Sequence, residues 1–409
     1  MSARPIPVPV PSPEPAVTVP AAFGGRPLFS EPVPMVRPTV PEPDEWLDRC
    51  ARMLASGQIT NGAAVRELEQ AVARSLGVAE CVAVSSCTSG LMLVERCLDL
   101  RGRVIVPSFT FFATAHSLLW NGLEPVLVDC DPHTWNIDPA CVRRALDRLP
   151  GVSAILAVHV FGNPAATEEL EQIAREAGVR LIFDAAHGFG AWRSGRPVGG
   201  FGDAEVFSLS PTKLLVAGEG GLITTRDPDL ARRLRAARNY GDAGDYDCRF
   251  LGLNARLTEF QAGLALGSLP LVAHGLERRS ALAACYESWL DSQPGITLQR
   301  SSPDDRSARK DFSLVIDPVR FGVSRRVLQD ALTQENIQTR RYFDPPLHRQ
   351  RLYRRFRRPE VDRLENSEAL SRGVLSLPIY PLLSDCDAGR IARRILEIRA
   401  WICPTRPVT

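Results

Sequence analysis

Hydrophobic and polar positions follow two periods along most of this chain. Val65, Leu68, Val72 and Leu76 recur at helical spacing and Gly77 follows them, which predicts a helix closed by a glycine cap. Beyond it, short apolar runs bounded by turn residues fall at 81–85, 104–107, 125–129, 154–158, 180–184, 205–209 and 221–225, with helical stretches between them. Strand–helix alternation at this spacing predicts an α/β fold: a large, mostly parallel sheet sandwiched by helices. Leu269-Pro270 marks a break, and helical patterns near 271–290 and 384–402 then predict a smaller C-terminal α/β unit. The expected organisation is a large domain over 46–269 and a small one over 270–409. Residues 1–45 differ. They hold 13 of the 33 prolines, mixed with Val, Ala and Glu, and are expected to form a proline-rich, disordered leader. No internal repeat is visible.

Composition narrows the function classes. With 44% apolar and 23% charged residues, the 409-residue chain can bury a sizeable core. A net charge of +2 is too small and too scattered to favour a nucleic-acid partner. No apolar run approaches the ~18 residues of a membrane span, so no membrane partner is expected. The ten cysteines are scattered without a CxxC pair, which sets aside a zinc site and a disulfide framework and fits a reducing cytoplasm. No metal is expected.

One bias changes the picture. Of 49 basic residues only Lys213 and Lys310 are lysine. Where arginine serves almost everywhere, a retained lysine points to a need for its amine, which can deprotonate. Lys310 sits among Arg306, Arg309 and Asp311, a pattern expected to be solvated. Lys213 instead ends the run Glu205-Val206-Phe207-Ser208-Leu209-Ser210-Pro211-Thr212-Lys213, a strand leading into a turn, with the flexible Gly218-Glu219-Gly220-Gly221 behind it. A Schiff-base role competes there with that of a solvated lysine.

Two further runs belong with it. In Ser85-Ser86-Cys87-Thr88-Ser89-Gly90-Leu91 a strand passes through hydroxyls into an apolar helix, a pattern that suits a phosphate and equally an ordinary N-cap. In Leu181-Ile182-Phe183-Asp184-Ala185-Ala186-His187 an aspartate ends a buried strand, where it can face a ligand crevice or cap the next segment. His187 reads as a site residue or as a satisfied core histidine. Cradle, carboxylate and amine in this order match the phosphate, ring nitrogen and aldehyde of pyridoxal phosphate.

From about residue 46 to 400 the chain resembles the DegT/DnrJ/EryC1/StrS family of nucleotide-sugar aminotransferases. Thr60-Asn61-Gly62, Ser85 to Leu91, Pro107-Ser108-Phe109-Thr110-Phe111 and His159-Val160-Phe161-Gly162-Asn163-Pro164 carry the likeness. So do Asp184 to Gly190, Phe207 to Lys213, Asn254-Ala255-Arg256 and Pro345-Pro346-Leu347-His348. The resemblance implies the aspartate-aminotransferase (type I) fold and pyridoxal 5'-phosphate as cofactor. Lys213 would bond the cofactor aldehyde and Asp184 would pair with the ring nitrogen. Thr88, Ser89 and Ser208 would hold the phosphate, Phe111 would stack on the ring, and His187 would lie beside it. Asn254 would reach the phosphate of a neighbouring subunit, making a homodimer with shared sites.

The implied reaction moves an amino group from L-glutamate to a nucleotide-linked keto-sugar. Arg238-Asn239-Tyr240-Gly241-Asp242 and His159-Val160-Phe161-Gly162 look most like the branch acting at C4 of dTDP-4-keto-6-deoxyglucose in deoxyaminosugar biosynthesis. A C3 or aminocyclitol aminotransferase, or a non-catalytic cofactor-bound sensor, are the alternatives. Two positions depart from the family pattern: Cys87 replaces a usual glycine, and Ser210 stands where a larger side chain is common. The arginine-dense stretch 340–358 reads as a solvated or subunit-facing surface, with contact to a nucleotide diphosphate as the sharper alternative.

Overall fold

A computed structural model of the chain describes residues 18–404. Five strands come first: β1 (Glu80–Val84), β2 (Arg103–Pro107), β3 (Glu124–Val128), β4 (Val152–Val158) and β5 (Arg180–Asp184). A short ribbon of β6 (Trp192–Arg193) and β7 (Arg196–Pro197) precedes β8 (Ala204–Ser208) and β9 (Gly221–Thr225). The main sheet has seven strands in the order β1-β9-β8-β5-β4-β2-β3. Only β9 runs against the rest, pairing antiparallel with both β1 and β8.

The helices α1 (Pro43–Ser56), α2 (Ala63–Leu76), α3 (Cys87–Cys97), α4 (Phe112–Trp120), α5 (Pro139–Arg148), α6 (Thr167–Ala177), α7 (Pro228–Ala237) and α8 (Glu259–Ser268) cover this sheet. Alternate strand residues feed two separate cores, as a pleated sheet with both faces buried requires. Ile155 and Ala157 of β4 join residues of α2, α5, α6 and α8 on one face. Ala154 and Leu156 join those of α3, α4 and α7 on the other. The helix expected from Val65 to Leu76 is α2, and Gly77 closes it at φ 63°. Its N-terminus takes its cap from far away: the Glu259 carboxylate accepts the N–H groups of Gly62, Ala64 and Val65 at 2.8–3.1 Å.

The Leu269-Pro270 break is milder than the sequence implies, because one 3-10 turn, Leu269–Leu271, links α8 directly to α9 (Val272–Leu290). Then come β10 (Ile296–Leu298), β11 (Phe312–Ile316), α10 (Pro318–Phe321), α11 (Arg325–Gln334), α12 (Glu365–Gly373), β12 (Val374–Leu377) and α13 (Asp385–Ile402). Strands β10, β11 and β12 form an antiparallel sheet, and α9, α11 and α13 supply its core partners. Among the described residues, no helix is long and apolar enough to cross a membrane.

The expectation of a disordered leader is corrected from residue 18 onward, while residues 1–17 lie outside the described residues. Val33 pairs in parallel with Ile337, and Val33 and Met35 are buried. The buried Glu335 carboxylate accepts the N–H groups of Ala21 and Leu28, each at 2.7 Å, and pairs with Arg394, which also donates to Thr18. Proline content hid this docking, because backbone N–H groups and single apolar residues, rather than a periodic stripe, make the contacts. Removing residues 1–40 strips Glu335 and Arg394 of partners inside the small unit. The Glu335–Arg394 pair itself survives, so the cost expected is that of the lost hydrogen bonds to charged groups, about 2–3 kcal/mol. Urea unfolding of the truncated chain measures it, and an unchanged midpoint would refute it.

Candidate active site

The candidate residues gather at one edge of the main sheet, where its parallel strands end. Ser85 follows β1, Ser108 follows β2, His159 follows β4, Asp184 closes β5 and Ser208 closes β8. Strand β9 returns through this edge, so its first residue, Gly221, is registered between Val84 and Ser208. A side chain at Gly221 would meet the Ser86 and Cys87 backbone at 2.6–2.7 Å. Glycine is needed there to bring the turn before β9 against the start of α3. Gly90 acts likewise one turn on, since a Cβ there would lie 2.7 Å from Val206.

The start of α3 is capped from within. Ser86 is the N-cap, and its hydroxyl accepts from the Ser89 N–H at 3.0 Å. The Ser89 hydroxyl in turn accepts from the Ser86 N–H and donates to the Ser86 carbonyl. Ser89 thus closes the capping box, and Cys87 and Thr88 present first-turn N–H groups that precede the helical ladder.

Asp184 is 5% exposed and closely held. Thr114 of α4 donates its hydroxyl at 2.7 Å, the Ala186 N–H donates at 3.1 Å, and the Cys87 thiol lies 3.9 Å away. Burial lifts the Asp184 carboxyl above its ordinary range, against the pull of these donors and of Lys213. Thr114 was not singled out from the sequence. Its spacing of four from Thr110, whose hydroxyl it meets at 3.0 Å, is the only signal it carries there.

Lys213 rides on a turn closed by its own N–H to the Ser210 carbonyl at 3.0 Å. Leu209 anchors the loop, donating to Gly220 and accepting from Ala217. Burial pushes the Lys213 amine down to about 8, and the Lys310 ammonium pushes the same way. His187 is neutral at pH 7, because burial and then the Lys213 and Lys310 charges hold it well below its ordinary value. Its Nδ1 accepts the Phe161 N–H at 3.2 Å. Ser208 is buried, with its hydroxyl accepting the Ser210 N–H at 3.4 Å.

Two candidates are exposed in the single chain. The Phe111 ring is 44% exposed and lies 3.9 Å, centroid to centroid, from that of Phe112. Asn254 is exposed, bridged to Asn239 beside the exposed Tyr240, and the next residue, Ala255, accepts the Ser85 N–H at 2.8 Å. The expectation for Lys310 is corrected: it is 6% exposed, with its ammonium on both carboxylate oxygens of Asp311 at 2.9 and 3.0 Å.

The arginine-dense stretch is pinned rather than loose. Ser108 Oγ lies 2.6 Å from His348 Nδ1, and His348 Nε2 lies 2.8 Å from Glu368. That is the order of a nucleophile, base and orienting acid. With Ser108 fully buried, however, it serves as a clamp. Arg349 pairs with Glu368 and Arg358 with Glu124, whereas Arg351, Arg354, Arg355 and Arg357 are exposed.

The DegT/DnrJ/EryC1/StrS aminotransferase family model matches residues 42–396. The chain belongs to this family. An Escherichia coli dTDP-4-amino-4,6-dideoxy-D-glucose transaminase is 30% identical over 366 residues, covering 89% of this chain and 98% of that protein. A UDP-N-acetyl-3-dehydro-alpha-D-glucosamine 3-aminotransferase from Acidithiobacillus ferrooxidans is 34% identical, over 85% of this chain and 92% of its own. The crystal structure of DesI with its TDP-sugar product superposes with a TM-score of 0.87 at 38% identity, covering 93% and 96% of the two chains. The family member described here is a pyridoxal phosphate-dependent aminotransferase with the type I fold.

The site's chemistry fits that cofactor. The amine is perturbed only by burial and by neighbouring charges, the carboxylate is held by three neighbours, and an anion-ready helix start lies beside them. A lysine with its amine near 8 gains its neutral, nucleophilic form as pH rises through 8, whereas an ordinary lysine does so only near ~10.4. With just two lysines, limited acylation of the cofactor-free protein can be resolved residue by residue. Labelling of Lys213 should rise with pH to a midpoint about 8. A midpoint like that of a free lysine would contradict the desolvated amine.

Proposed function

We propose that this enzyme transfers an amino group from L-glutamate to the keto carbon of a nucleotide-linked sugar, at C4 of dTDP-4-keto-6-deoxyglucose. The observation that carries the reading is the buried Asp184 and desolvated Lys213 beside the α3 start. The 30%-identical dTDP-4-amino-4,6-dideoxy-D-glucose transaminase, matched over 98% of its length, supports the sugar and the carbon. Bound pyridoxal phosphate supplies an electron sink for the substrate carbon that loses its proton. The chain's own residues do the rest.

Lys213 would hold the cofactor covalently at rest and, once free as a neutral amine, would serve as the group that moves the substrate proton. An amine near 8 can both take and return that proton at neutral pH. Asp184 keeps a proton on the ring nitrogen, and Thr114 and the Ala186 N–H hold its carboxylate in the required direction. Thr88, Ser89 and Ser208 would hold the phosphate with the first N–H groups of α3, Phe111 would cover the ring, and His187 would flank it. The 34%-identical 3-aminotransferase favours a second reading in which the amine enters at C3. Glutamate with a panel of nucleotide keto-sugars, and NMR of the product, separates the two. The 4-amino sugar is expected, a 3-amino product would move the assignment, and no transfer to any keto-sugar would remove it.

The same reading includes a homodimer. Asn254 is exposed on a stretch that also exposes Tyr240, Tyr246 and Leu251, apolar surface that suits burial against a second copy. Asn254→Asp, which sets a carboxylate against the phosphate, and Lys213→Ala should each be inactive alone. In a mixed dimer one site takes both lesions and the other takes neither. Recovery of up to half the wild-type activity per dimer is expected. Doubly tagged mixed dimers that stay inactive would place both residues in one chain's site.

A further inference from the structure

The pair formed by Lys310 and Asp311 is assigned no role in the reading above, yet its backbone is tied to Phe161 and, through it, to His187. Both side chains are nearly fully buried, 6% and 5% exposed. The Lys310 N–H donates to the Phe161 carbonyl at 3.0 Å, and the Phe161 N–H donates to His187, which ties the pair's backbone to the ring beside the cofactor. From behind, the buried Arg279 guanidinium grips the carbonyls of Arg309, Lys310 and Ile379 at 2.9–3.2 Å. The ammonium lies 5.7 Å from the centre of the Tyr342 ring. Its charge is felt at both Lys213 and His187.

We propose that the Lys310–Asp311 pair is the specificity-determining contact for a hydroxyl on the carbon next to the reacting ketone. This rests on the keto-sugar reading above. The pair is already neutral and bidentate, so an incoming carboxylate would leave an uncompensated charge in a dry site. A hydroxyl fits it without that cost: it donates to an Asp311 oxygen and accepts the third N–H of Lys310. The reacting carbon must lie within reach of the Lys213 amine, and substituents on the neighbouring carbon therefore meet the groups that flank that amine. With a C4 ketone, the hydroxyl that meets these groups is the one on C3.

The test compares dTDP-4-keto-6-deoxyglucose with its 3-deoxy analogue, reading the ratio of kcat/KM for the two. General damage to folding or to Lys213 cancels in this ratio. In the wild type it should be about 10–100 in favour of the hydroxyl, the worth of a charge-assisted hydrogen bond. In Asp311→Asn and in Lys310→Met it should fall to within about threefold of unity. Asp311→Asn keeps the shape of the side chain and carries the test if Lys310→Met fails to fold. A ratio that both variants leave at the wild-type value overturns the proposal. So does a loss confined to the glutamate half-reaction, which would make Lys310 a carboxylate anchor. Wild-type turnover of either sugar checks the underlying reading separately, since it involves no variant.

Discussion

A carboxylate that must stay buried, oriented and next to an amine is the constraint on which this architecture depends. Asp184 sits buried at the end of a central strand, and burial raises its carboxyl above the ordinary range. Three elements converge to hold it: α4 through Thr114, the turn after β5 through Ala186, and the start of α3 through Cys87. Each needs the sheet to be parallel on either side of β5, so that several strand ends open on one crevice. Reversal of β9 alone then brings the Lys213 loop back over that crevice.

The same dry environment sets the amine. Lys213 is easier to deprotonate because it is desolvated and because a second cation stands nearby. That cation comes from the segment leading into β11, brought in by hydrogen bonds from Ala308 and Lys310 to the turn after β4. This segment supplies a charged pair whose position depends on Phe161, which takes a left-handed backbone at φ 58° to present both its N–H and its carbonyl.

Arginine serves this chain in a second way, as a brace. Arg279 and Arg394 are buried and spend their N–H groups on backbone carbonyls or on Glu335, while Arg349 and Arg358 tie the arginine-dense stretch to Glu368 and Glu124. A planar fork with five donors suits that work, and a lysine would satisfy fewer acceptors. Where a lysine is kept, at 213 and 310, both side chains are largely buried and the charge of Lys310 acts on Lys213.

The sequence by itself determined the order of strands and helices, the cofactor and the family. Those rest on local signals: apolar runs between turns, a hydroxyl-rich helix start, a strand-end Asp184 and a near-unique Lys213. It misjudged Lys310 and the segment from residue 18 to 45, and it passed over Thr114. These errors share a cause. Lys310 looks solvated because its sequence neighbours are charged, yet the turn after β4 and the Arg279 side chain bury it. The proline-rich segment looks disordered because it lacks a period, yet Glu335 and Ile337, some three hundred residues away, give its N–H groups and Val33 a place. Burial and partner choice across such distances follow from how the sheets pack, and no local pattern of residues encodes them.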